Sequence, residues 1–499
     1  MVNDIIVFGF LALPWVMAVG IPVLAMIALL VGRRSALVWV GVYFSLLMYF
    51  PNNSYGLLDP QTASFYGRGT GTFYFSAVNV MLFGLALQAF FARRMELPLP
   101  VLHNQRIPAL MFLAIFAGNL IVAQFYPHVH WTQVIGKSGL LNVFNFILAF
   151  YVLVAALREP RDLDRLITLI LFCAVTRGIW GAVRFAGFGG DPANYYANMQ
   201  RLDVRLTFFD INDGLVAALA LFIAGWRLLS GQCRSVQSRL LHIAVVALEL
   251  FIISFSYRRT GWGGLLLVIV LLAWLRPTRQ RWWLLVVSLS AAVPLLGYKL
   301  SQRAGSPASG GSFLGRILPD VVVNGQLSFT TGRFAELYAA WLSLKESPLW
   351  GLGTWGTYDG SRFAALGWHR GDFSWMHSGI LHIMLKSGLI GFAAVVLLVV
   401  CLVRFLLRHH HSLDEADRGL LYLGIAGLLF MLPNWLVGTP VIEYRTMQLM
   451  ALCTAMPYLV VAVAQQRRAA IATGPARPKV FGIRPLPPRP VVLQPNTRG

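Results

Sequence analysis

Runs of about twenty apolar residues recur along almost the whole chain, and that alone removes most folds from consideration. A segment of this length crosses a bilayer as a helix, because a helix satisfies its backbone polar groups internally where water is absent. Candidate spans fall at 5–31, 36–50, 72–91, 107–126, 139–157, 166–188, 206–226, 240–256, 262–275, 282–300, 378–403, 419–437 and 445–464. About 12–13 such spans define an all-α polytopic integral membrane protein. An outer-membrane barrel would instead show alternating segments of about ten residues. Composition agrees. Of the 499 residues 57% are hydrophobic and 12% charged, against roughly a quarter charged in soluble domains.

The first span, Ile5 to Val31, lacks a basic leader and is too long for a signal-peptide core, so it reads as a retained helix. Cys173, Cys233, Cys401 and Cys453 form no CxxC pair. Neither a disulfide framework nor a zinc site is supported. The net charge of +21 would suggest nucleic acid in a soluble chain. Here no nucleic acid is implied, because the basic residues gather in alternate loops: Arg33 and Arg34, Arg93 and Arg94, Arg158 to Arg165, Arg227 to Arg239, Arg276 to Arg281, Arg404 to Arg418, and the tail from Arg467. The positive-inside rule makes that side cytoplasmic.

Four regions follow. Residues 1–300 hold about ten spans with short loops, 301–376 form a large loop on the outer side, 377–464 hold the last spans, and 465–499 form a basic, Pro-rich tail. The tail has no apolar periodicity and reads as disordered, with anionic membrane lipids as its partner. Within the loop, "TGRFAELYAAWLSLKESPLWGLG" repeats Phe334, Leu337, Tyr338 and Trp341 at helical spacing. This predicts an amphipathic helix lying on the membrane or on another span.

Charged groups on the outer side depart from the positive-inside pattern and narrow the search. Arg177 and Arg184 lie seven apart, on one helical face near its outer end. Arg205 precedes Asp210, Asn212 and Asp213, which are expected just inside a span; Arg258 and Arg259 stand at a lip between two helices; Arg333 begins the amphipathic helix. Each arginine alone can snorkel to lipid phosphate or pair with a carboxylate. As a group, several guanidinium forks on one rim suit an anionic, phosphate-bearing ligand. His377 opens the apolar "HSGILHIMLKSGLIG". Either it caps a backbone group at the interface, or it acts as a general base that nearby guanidinium groups help keep neutral. His382 faces about 140° away from it, so the two make no metal pair. His409 to His411 read as a solvated run in a cytoplasmic loop.

These residues resemble the O-antigen ligase family, related to O-antigen and exopolysaccharide polymerases and to protein O-oligosaccharyltransferases. Its histidine signature is matched by His377, Ser378, nine residues, Gly388, two residues and Gly391. An R-x3-L feature of the loop is matched by Arg333 and Leu337, and "RLTFFDIND" and "FSYRRTG" are similar to two further stretches. In the second, Tyr257 separates the serine from the arginines, leaving open whether Arg258 or Arg259 takes the family role. The match runs from about 205 to 391; earlier residues agree in hydropathy alone.

The resemblance implies a multi-pass glycosyltransferase of the bacterial inner membrane, with a GT-C-like architecture and its active site on the periplasmic side. It implies a glycan donor on undecaprenyl diphosphate and an acceptor that is lipid A-core or another lipid-linked glycan, with no metal or other cofactor. His377 would be the general base. Arg333, Arg258 and Arg259 would hold the diphosphate, with Arg184 and Arg205 assisting and Ser378, Gly388, Gly391, Asn212 and Asp210 in support. The histidine signature favours ligation over polymerisation. The competing class, a transporter or flippase of lipid-linked sugars, would carry polar residues through the full membrane depth.

Overall fold

The computed structural model describes residues 36–49, 76–93, 106–129, 131–136, 141–157, 160–192, 194, 204–304, 322–323, 326–327, 332–360 and 372–473. In chain order its helices are α1 (Ala36–Tyr49), α2 (Ala77–Arg93), α3 (Arg106–Ala123), α4 (Trp131–Val134), α5 (Leu141–Ala156), α6 (Pro160–Gly187) and α7 (Ile211–Leu229). They continue as α8 (Val236–Ser254), α9 (Arg259–Trp274), α10 (Thr278–Ala304), α11 (Gly332–Leu344), α12 (Gly379–His410), α13 (Glu415–Val437) and α14 (Tyr444–Thr473). Two short antiparallel pairs lie in the loop: β1 (Val322–Val323) with β2 (Gln326–Leu327), and β3 (Tyr358–Asp359) with β4 (Asp372–Phe373). Among the described residues six helices are long and apolar enough to cross a membrane, with five shorter apolar ones beside them. The protein is therefore an all-α multi-pass membrane protein. The expected span at 5–31 and the tail beyond 473 lie outside the described residues.

α7 forms the axis of the bundle. Its apolar window is 89% buried, against 22% for the neighbouring α8, so α7 meets protein on all sides while α8 turns Leu240, Leu241 and Ile243 outward. An all-round apolar helix with small residues (Gly214, Ala217, Ala218, Ala220, Ala224) suits that position. α6, α8, α9 and α13 pack around it.

Several element boundaries differ from the sequence expectation. The span expected from 206 starts as a helix only at Ile211, because Asp210 accepts a hydrogen bond from the Asn212 backbone N–H and caps it. The segment before it, 204–210, is non-helical. α14 continues to Thr473, so the start of the tail is ordered; there Arg467 pairs with Asp417 at 3.0 Å. His409 and His410 are likewise not in a loop. They complete α12, and His410 Nδ1 lies 2.9 Å from the Tyr422 hydroxyl of α13.

The largest departure lies inside α12. Gly388 adopts φ 62, ψ −164 and splits the helix in two. The break frees backbone groups that an intact helix would pair internally. The chain at Pro348–Leu352 enters the notch and bonds them: Leu389 N–H to Pro348 O (2.9 Å), Ile390 N–H to Leu349 O (3.2 Å), and Leu352 N–H to Leu385 O (2.7 Å). A Cβ on Gly388 would lie 2.1 Å from Leu349 O, so both its φ and its surroundings require glycine. The break also lets the first segment lean over α13, where Gly379 meets Trp435 and Pro440.

Candidate functional site

α11 presents a narrow face to α12. Ala335, Glu336, Ala339, Ala340 and Leu344 are buried, whereas Tyr338 and Trp341 are half exposed. The aromatic residues face away from α12; small residues make the contact because they let the helices approach closely. Phe334 lies outside the described side chains.

Glu336, one turn before Ala339 and Ala340, is carried inward on that face. It is 2% exposed and receives three hydrogen bonds. The His377 backbone N–H donates to Oε1 (3.1 Å), the Tyr358 hydroxyl donates to Oε1 (3.1 Å), and His377 Nδ1 lies 2.8 Å from Oε2. Burial and the Glu336 charge push the Tyr358 phenol well above its ordinary range, so it stays a hydroxyl donor. A carboxylate at Nδ1 fixes the imidazole with its proton there and Nε2 as the free acceptor. Trp375 meets the imidazole edge-on at 5.2 Å between ring centres. Among the described residues the charged group touching His377 is this carboxylate. The capping is done by the next residue: Ser378 Oγ accepts from the Leu381 N–H and starts α12.

The arginines divide into two sets. Arg445 is fully buried and bonds Asp210 Oδ2 (2.9 Å), Asp213 Oδ1 (2.7 Å) and the carbonyls of Leu47 and Met48. Arg177 grips Asp213 bidentately at 3.0 and 3.1 Å and lies over the Phe208 ring. Arg184 bonds Asp191 (3.1 Å) and Thr207 O (2.6 Å). These two contacts tie it to the two ends of the 191–207 stretch. Asp210 and Asn212 likewise work inside this network: Asn212 Nδ2–H donates to Asp210 Oδ1 at 2.8 Å.

The second set comprises Arg258, Arg259, Arg205 and Arg333. Arg258 bonds Phe209 O through Nε and stacks on the Phe209 ring, but among the described residues its terminal Nη groups bond nothing. Tyr257, the residue inserted ahead of it, takes φ 58 and buries its ring near Trp262. This turn lets Ser256 cap the loop while Arg258 points toward Phe209. Arg259 is in the first turn of α9, partly exposed, and Arg205 is exposed. Arg333 opens α11, three residues before Glu336; its side chain lies outside the described set. Gly391 leaves room for Ser387, whose Oγ would lie 1.8 Å from a Cβ there.

Glu443 completes the rim. It follows the short Pro440–Ile442 turn, and that turn packs on Gly379 beside His377 and Ser378. Thr439 donates to its Oε1 at 3.0 Å. Among the described residues no group of three or more His, Cys, Asp or Glu side chains is placed to hold a metal ion.

Glu336, Tyr358, Arg445 and Glu443 were not singled out in the sequence. Two left a signal: Glu336 lies inside "RFAEL", and Arg445 is a basic residue at an outer helix end, like Arg205 and Arg258. Tyr358 left none.

Residues 242–396 match a family described as O-antigen ligase. The match encloses Arg258, Arg259, Arg333, Glu336, His377, Ser378, Gly388 and Gly391, and stops short of Glu443 and Arg445. No curated protein matches the chain.

Proposed function

We propose, from the premise that this chain carries an O-antigen ligase domain, that it moves a glycan from undecaprenyl diphosphate to a sugar hydroxyl of lipid A-core at the periplasmic face of the inner membrane. The observation that carries the reading is the Glu336–His377 bond. A buried carboxylate that orients one imidazole nitrogen and leaves the other open is the arrangement a general base needs.

His377 Nε2 takes the proton of the acceptor hydroxyl as its oxygen attacks the anomeric carbon. The bond to diphosphate breaks on the opposite face, so configuration inverts. Arg258, with two unengaged Nη groups, and Arg333, on the same helix as Glu336, meet the negative charge that grows on the leaving diphosphate. Arg259 and Arg205 flank them. The donor is already activated, so neither nucleotide nor metal enters the scheme.

Transfer of a defined lipid-linked glycan by purified His377→Ala protein tests this. Turnover is expected to fall about 100- to 10,000-fold, and near wild-type turnover would overturn the assignment. A deletion strain separates the acceptors. Core without polymer supports ligation, and core with a single repeat unit supports polymerisation instead.

A further inference from the structure

Thr446 Oγ1 lies 2.9 Å from Asn212 Oδ1 and 2.5 Å from Glu443 Oε2. A hydroxyl has one proton and cannot donate to both oxygens. Asn212 cannot turn its amide to help, because Nδ2 is already held by Asp210 Oδ1, and Asp210 is itself paired with Arg445. The missing proton has one remaining source: the Glu443 carboxyl donates to Thr446, and Thr446 donates to Asn212. The chain of donors then runs in one direction from Glu443 to Asp210.

We propose that Glu443 holds a proton at the outer rim and passes it to the diphosphate oxygen that departs beside Arg258, opposite in role to His377; this rests on the transfer reading above. The acceptor O–C1 bond forms as the C1–O bond to diphosphate breaks, and that electron pair goes to the diphosphate oxygen. His377 gains the acceptor's proton, and Glu443 gives one to the leaving oxygen. Exchange with water returns both groups to their starting state, so the proton count closes. Glu443 is placed for this: it is partly exposed at the outer end of the bundle, and Arg258 and Asp210 are the charged groups that act on it.

Burial, followed by the Asp210 charge, pushes the Glu443 carboxyl above its ordinary value, while Arg258 and the Thr439 hydroxyl pull the other way. The Thr446 contact pulls down only when Thr446 is the donor, and holds the proton on Glu443 when the carboxyl donates. A proton donor works below its pKa and is lost as pH rises through it. The wild-type rate should therefore fall on the alkaline side.

Glu443→Gln keeps a donor for Thr446 and an acceptor for Thr439, and removes only the mobile proton. Two measurements on the full chain in lipid nanodiscs test the idea. Infrared spectra at neutral pH should contain a carboxylic-acid carbonyl band that Glu443→Gln removes. Turnover of the variant should fall about 100-fold or more, with the donor KM little changed and the alkaline limb gone. Wild-type protein that transfers glycan without such a band overturns the Glu443 role alone, as does a Gln variant with full turnover and the same pH profile. Wild-type protein with the band but no transfer overturns the transfer reading, and the donor role with it. Should the Gln variant not fold, Glu443→Asp decides: band and partial turnover support the donor, and full turnover without the band overturns it.

Discussion

The Arg445 cluster and the His377 cluster both join basic groups to buried carboxylates, yet they leave different things over. Around Arg445 two aspartates, two backbone carbonyls and Arg177 consume the available donors and acceptors. Nothing is left for a ligand. Around His377 a single carboxylate is satisfied by a backbone amide, a phenol and Nδ1, and Nε2 remains. A closed network fixes helices against one another; an open one keeps a functional atom presented. Charge at the membrane rim is thus no guide to chemistry until its partners are counted.

Removing one partner from the closed network should have the largest effect. Arg445→Met takes the guanidinium from Asp210 and leaves Asp213 with Arg177, and breaking such a buried pair typically costs about 3–5 kcal/mol. Thermal unfolding of the purified protein should show that loss. A variant that melts like wild type would erase the contrast between the clusters.

Glu336→Gln should do the reverse. Losing a charge-assisted hydrogen bond removes about 1.5–3 kcal/mol, here expected as a drop of roughly 10- to 150-fold in kcat with a smaller shift in melting. If the variant melts early and its folded fraction keeps full kcat, Glu336 belongs with Arg445 as a structural group.

Gly388→Ala tests the frame beneath the open cluster. Strain at a positive φ costs of order 1–3 kcal/mol, and the new Cβ also strikes Leu349 O. Limited proteolysis should cut the Pro348–Leu352 stretch faster in the variant. Unchanged protection would mean that the loop is held elsewhere.

The sequence already carried the membrane class and most of the described helices, because runs of apolar residues act locally. His377, Arg258 and Ser378 were legible as charged or polar residues out of place. Their partners were not. Glu336 meets His377 across the outer loop, and Asp213 meets Arg445 across most of the C-terminal half, so only the fold brings them together. For α11 the spacing left membrane and span open as its support, and alanines make the face it turns to α12. The break at Gly388 is hidden for another reason: periodicity does not record a reversed φ.

That break bears on how the chain assembles. The stretch at 348–352 bonds backbone to backbone with Leu385, Leu389 and Ile390, all made after it, and two of these three bonds need the second half of α12. The loop that carries Tyr358 is thus fastened from behind, by chain that leaves the ribosome after it.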